Sequence, residues 1–130
     1  MKAKIPLINE FNFSEIKKEN QFIQLEFEGK NYLRFMNPEK EKNHSQLLFN
    51  TLVYEFNTLP KFIRIGIASP KGHNYKLLGA GRFRKEGEKI VLYGASFDYL
   101  LQTNEQNAKE ISKLTGLDIK IEQFPCFPKD

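Results

Sequence analysis

The chain's hydrophobic rhythm predicts an α/β (α+β) fold: a single mixed β-sheet of about six strands packed by two helices. Three observations carry that prediction. Runs rich in Phe, Ile, Leu and Tyr recur with the two-residue period of strands. Twice the period lengthens to three and four residues, at 47–59 and again at 108–114. Each of these stretches follows a capping sequence and meets a stop, Pro60 for the first and Gly116 for the second. The order reads β-β-α-β-β-β-α-β. At 130 residues the chain is one domain, 1–130, long enough to bury a core.

Residues 1–19 read as an irregular lead-in that covers the core through Phe11 and Phe13. Phe22, Leu25 and Phe27 then lie in a β-prone run. Glu28-Gly29-Lys30-Asn31 has turn chemistry and Tyr32-Leu33-Arg34-Phe35 returns, which makes a hairpin. Leu47, Leu48, Leu52, Val53, Phe56 and Leu59 form the apolar stripe of a helix ended by Pro60. Two starts compete for it. Asn43-His44-Ser45-Gln46 resembles a capping box, whereas Asn37-Pro38 offers the proline favoured at a first helical position. The first places His44 on the opening turn, the second inside the helix.

Phe62-Ile63-Arg64-Ile65-Gly66-Ile67, with alternating isoleucines, reads as one strand, and Ser69–Asn74 as a turn cluster. Strand signals return at Tyr75–Leu78 and Lys89–Tyr93, on either side of a glycine-rich turn. Thr103-Asn104-Glu105-Gln106 is a second capping box. It leads a helix with Ala108, Ile111 and Leu114 on one face, closed by Gly116. Leu117-Asp118-Ile119-Lys120-Ile121 alternates as the last strand.

Composition narrows the function. Hydrophobic residues are 40% and charged residues 28%, as in soluble globular proteins. A lone cysteine, Cys126, and two histidines, His44 and His73, exclude a disulfide framework or a structural zinc site built by this chain alone. Met1–Leu7 lacks the apolar run of a signal peptide and no segment reaches membrane-spanning length, so a cytoplasmic protein is expected. The net charge of +4 is spread among mixed runs such as Glu39-Lys40-Glu41-Lys42. It does not call for nucleic acid, although a folded cluster of Arg34, Arg82, Arg84 and Lys85 would provide a basic face.

The chemistry-bearing segments are Leu78-Gly79-Ala80-Gly81-Arg82-Phe83 and Tyr93-Gly94-Ala95-Ser96. The first is read as a small-residue turn delivering an arginine. The second is a strand end delivering a hydroxyl. Together they are parts of a phosphoryl cradle. No phosphate-binding loop, dinucleotide fingerprint or nucleophile elbow occurs. His44 is the proton-transfer candidate: on the opening turn of a helix it would lie beside orphan N–H donors, and a nearby arginine would keep it neutral. His73, in a Pro-Gly turn, reads as a loop residue.

These segments resemble the Janus/Ocnus family, whose known enzyme is the phosphohistidine phosphatase. Residues 78–83 are similar to the family's Leu-Gly-Gly-Gly-Arg-Ile, and residues 89–96 to its Lys-Ile-x-Val-Tyr-Gly-x-Ser, with Tyr99 at the spacing of its next tyrosine. Tyr32-Leu33-Arg34-Phe35 resembles the strand bearing the family's first phosphate-binding arginine. Asn43-His44-Ser45-Gln46-Leu47 stands where the family has Tyr-His-Ala-Asp-Ile. The likeness spans roughly 21–121 and is most specific from 78 to 99. It implies His44 as general base or nucleophile, with Arg34, Arg82, Ser96 and the Ser45 N–H holding the phosphoryl oxygens. It also implies action on a phosphorylated protein or small phosphorylated ligand with no metal and no cofactor; a monomer that does not engage a membrane is expected. Gln21 replaces the family's first-strand lysine, Asp98 a small residue, and Leu100 a glycine. Gln21 and Asp98 suit a non-catalytic binding protein for a phosphorylated ligand or nucleotide, the alternative reading.

Overall fold

The computed structural model describes residues 6–8 and 19–122. Phe11, Phe13 and Cys126 lie outside the described residues. The first hairpin forms as predicted, from β1 (Asn20–Phe27) and β2 (Lys30–Phe35). Its turn is only Glu28-Gly29, with φ of +49° and +81°. Two left-handed residues match the twist of a two-residue hairpin.

The first helix, α1 (His44–Asn50), starts at the later of the two candidate positions. Asn43 caps it, its Oδ1 accepting from the Gln46 N–H at 2.9 Å. Gln46 reaches back to the Lys42 N–H at 2.7 Å. A π-helical turn, Thr51–Glu55, extends α1 and ends at Phe56, short of Pro60. The run of alternating isoleucines is not one strand. It divides into β3 (Phe62–Arg64) and β4 (Ile67–Ala68) around a turn at Ile65-Gly66, because Gly66 takes φ +81°.

The predicted glycine-rich turn is strand. β5 (Tyr75–Glu86) runs 12 residues straight through Gly79 and Gly81, with only a bulge opposite Gln24/Leu25. Close approach explains these glycines. A Cβ at Gly79 would meet the Asn104 backbone nitrogen at 2.8 Å, and one at Gly81 the Tyr93 carbonyl oxygen at 2.5 Å. The real turn falls at Gly87-Glu88, before β6 (Lys89–Tyr93). Two short strands that the sequence reading did not anticipate, β7 (Ala95–Ser96) and β8 (Leu101–Gln102), pair with each other. The second helix, α2 (Glu105–Thr115), is capped by Asn104, one residue later than the box beginning at Thr103, and closes at Gly116 with φ +77°. Leu114 is exposed, so its buried face is built on Ala108 and Ile111. The chain ends its described part in β9 (Ile119–Glu122).

The fold is α+β. The main sheet has five strands in the order β2-β1-β5-β6-β9, antiparallel except for the parallel pair β6–β9, and two-stranded sheets β3–β4 and β7–β8 flank it. Strand alternation separates two cores. Ile23, Leu25, Leu77 and Ala80 face Leu47, Leu48 and Leu52 of the α1 layer. Phe22, Leu33, Phe83, Ile90 and Leu92 face Ala108 and Ile111 of α2. Among the described residues no helix is long and apolar enough to cross a membrane.

Candidate functional site

At the end of the sheet where α1 begins, cross-strand pairing places Gln21 opposite Arg82 and Arg82 opposite Tyr93. This row lies one pleat beyond Ile23 and Ala80, on the α1 face. Arg82 is exposed there. The Asn43 cap sets the first helical turn over the same end, and the His44 ring reaches the sheet: its Nε2 lies 2.8 Å from the Gly81 carbonyl oxygen. A carbonyl only accepts, so Nε2 carries the proton and the Nδ1 lone pair of the neutral ring is left for chemistry. Gly81 therefore has two duties. Its missing side chain lets the end of β6 close in, and its oxygen orients the imidazole.

Burial pushes the His44 pKa below its ordinary 6.5, and Arg82 pushes it further in that direction. The Gly81 bond and the charge of Asp98 oppose the shift without cancelling it. His44 is 6% exposed, and its ring is neutral at physiological pH.

The neighbour of His44 is structural through its side chain. Ser45 Oγ donates to the Gly66 carbonyl at 3.1 Å and accepts from the Ala68 N–H at 2.9 Å, fixing the β3–β4 hairpin to α1. The Ser45 N–H, by its place in the first turn, lies outside the helical ladder. Tyr99 completes the same junction, its hydroxyl donating to the Ala68 carbonyl at 2.6 Å. Asp98 is held 3.6 Å from Arg64. Tyr93 is hydrogen-bonded to Glu19 and lies in hydrogen-bonding range of Arg82.

Ser96 sits on β7, which packs against β5, and its side chain is 1% exposed. Among the described residues its buried Oγ has no hydrogen-bond partner, and neither has Oε1 of Gln21. Unsatisfied buried oxygens are rare and call for an explanation such as a ligand contact.

Arg34 is not brought to this group. Its Nε donates to both Glu55 carboxylate oxygens, at 3.1 and 2.8 Å. Nη1 donates to the carbonyls of Leu7 and Leu33, and Nη2 to that of Pro6 at 2.7 Å. The guanidinium stacks 5.3 Å from the Tyr32 ring centroid. It lines a separate cleft of about 670 Å³ with Lys40, Glu41 and Glu55, where two carboxylates oppose an anion. The basic face drawn from Arg34, Arg82, Arg84 and Lys85 does not assemble either. Arg34 lies two strands from Arg82, and Arg84 is neutralised by Glu86 and Glu122 at 3.0 and 2.7 Å.

Thus His44, Ser45 and Arg82 come together at the sheet end, with Ser96 on the adjoining β7. The sequence reading missed the Gly81 carbonyl as the imidazole's anchor and the tie of Asp98 to the His44 environment. Strand alternation carried through Gly81 would have found the first, and nothing local signals the second. No protein-family model and no curated protein matches the chain. Among the described residues no three His, Cys, Asp or Glu side chains gather as a metal site would require.

Proposed function

We propose that the protein is a small metal-independent phosphatase that removes phosphoryl groups from phosphohistidine or phospholysine. The resemblance to the Janus/Ocnus family motivates the reaction class. One observation carries it: a buried, neutral His44 whose Nε2–H is spent on the Gly81 carbonyl, leaving the Nδ1 lone pair on a ring whose pKa the charge of Arg82 lowers.

That lone pair serves either of two routes. As a nucleophile it forms a bond to phosphorus while the substrate's P–N bond breaks; the departing nitrogen takes a proton, and water then cleaves the phospho-His44 intermediate. As a base it takes the proton of the attacking water. Both need positioning and charge stabilisation more than covalent machinery. Arg82 meets the phosphoryl oxygens, the Ser96 hydroxyl, without a partner among the described residues, donates to one of them, and the first-turn N–H of Ser45 adds a third donor. Arg34 supports the scaffold from the other side of the layer. The same reading makes the protein a cytoplasmic monomer.

The test is release of phosphate from a phosphohistidine peptide. His44→Ala should abolish it while leaving binding of a phosphate analogue largely intact, and Arg82→Ala should weaken both. A second reading, a dedicated binding protein for a phosphorylated ligand, is favoured by the engagement of Arg34 with Glu55 and by Gln21 beside Arg82, which leave the site one strong cation among the described residues. Tight binding of the analogue with no turnover above the spontaneous rate would decide for it.

A further inference from the structure

Beside the His44 group the surface is apolar. Ile65 is fully exposed at the tip of the β3–β4 hairpin, with Phe62 and Ile63 each 54% exposed behind it. Across the Arg64–Asp98 ion pair, the turn between β7 and β8 presents Phe97 and Leu100 to solvent. Leu100 holds φ +53°, a left-handed conformation costly for a bulky residue. Its side chain is 67% exposed, so packing does not offset that cost. The hairpin and turn are clamped together by Tyr99 on the Ala68 carbonyl, and both are clamped to α1 through Ser45, the residue after His44. The hairpin and turn that carry these residues are therefore tied to the first turn of α1, next to His44. Arg64 of the rim is paired with Asp98, and Lys61 and Lys71, at either end of the hairpin, are exposed.

We propose that this rim docks the protein part of the substrate: an extended segment with apolar and acidic residues flanking the phosphorylated side chain. The proposal rests on the phosphatase reading and narrows it, making the substrate a phosphorylated protein instead of a free small phosphoramidate. Exposed apolar surface of this kind marks an interaction site. The complement to the exposed Lys61 and Lys71 flanking the hairpin is acidic chain. Aliphatic Ile63, Ile65 and Leu100 distinguish the rim from a single-stranded nucleic-acid platform, which stacks bases on aromatic faces.

The experiment compares wild type with the double variant Ile65→Ser/Leu100→Asn on two substrates: phosphoramidate itself, and a phosphohistidine peptide flanked by leucine and glutamate. Both positions are exposed, and asparagine tolerates the left-handed backbone at 100, so the variant folds; its melting temperature checks this. The expected result is a loss of about tenfold or more in kcat/KM on the peptide, carried by KM, with phosphoramidate turnover unchanged. Equal peptide kinetics in both proteins would overturn the docking rim and leave the phosphatase reading standing. Absence of phosphoramidate hydrolysis by wild type would remove that reading, and the rim's role with it. A wild-type dimer in sedimentation that the variant splits would assign the rim to self-association. Inhibition of peptide turnover by a single-stranded oligonucleotide but not by polyglutamate would assign it to nucleic acid. Either of these last two overturns the proposal.

Discussion

His44 is anchored through Nε2 by a main-chain carbonyl, where many catalytic histidines use a carboxylate. A carbonyl fixes the tautomer without adding a charge, so burial and Arg82 govern the ring's pKa and hold it below 6.5. A base or nucleophile must be unprotonated, so the acid limb of the kcat/KM profile should lie below pH 6.5. Arg82→Ala removes a lowering influence and should move the limb upward. Asp98→Asn removes a raising influence and should move it downward. A limb that stays fixed in both variants would mean that another group titrates. The two arginines should also separate. Arg34→Met leaves three main-chain carbonyls and Glu55 short of donors and should cost about 1–3 kcal/mol in chemical denaturation, with phosphate-analogue affinity unchanged. Arg82→Ala, at an exposed position, should do the reverse. His44 and Arg82 were legible because each is a charged or titratable residue beside a strong local signal, a cap in one case and a glycine pair in the other. Arg34 looked the same in sequence. Its partners are the main chain of residues 6 and 7 and a glutamate 21 positions away, which no local pattern announces.

Strand β5 connects the two cores with the site, and its glycines should divide by function. Gly81→Ala puts a Cβ 2.5 Å from the Tyr93 carbonyl oxygen, which is backbone and cannot rotate away. The expected cost is about 1–3 kcal/mol of stability, together with a displaced His44 and a shifted acid limb. Gly79→Ala meets the Gln24 side chain and the backbone at 102 and 104, where α2 docks. It should lower the melting temperature and leave the acid limb where it was; a shift there would break the assignment of Gly81 as the imidazole's anchor. Element types came through in sequence wherever a period was long, as in the first hairpin and α2. They failed where glycine carried two meanings. In β5 the glycines allow close packing within a strand, and at Gly66 the same residue makes a turn, yet both sit among β-prone neighbours. The strands β7 and β8 have two residues each, too few for any periodicity to register.

Across the whole molecule, acid should unfold the protein in two stages. The folded state holds His44 neutral with its pKa below 6.5, while the unfolded chain protonates it at about 6.5. As pH falls below 6.5 the unfolded state binds more protons, so stability declines until the folded-state pKa is reached; above 6.5 the His44 contribution is constant. A second stage comes lower. Arg84 holds the Glu122 carboxyl below its ordinary 4.5, so the stability that this group lends is present above 4.5 and is lost as pH drops further. The two groups lie on different parts of the fold, His44 on the α1 layer and Glu122 on the outermost strand β9, so their effects should add. Denaturation midpoints measured from pH 7.5 down to pH 3 should therefore show a decline that sets in below 6.5 and a further one that sets in below 4.5. His44→Gln, which cannot take a proton, should flatten the first and leave the second, and Glu122→Gln should do the opposite. A His44→Gln protein that keeps the decline setting in below 6.5 would show that the buried imidazole is not the group whose protonation opposes folding, and the neutral His44 on which the proposed chemistry depends would go with it.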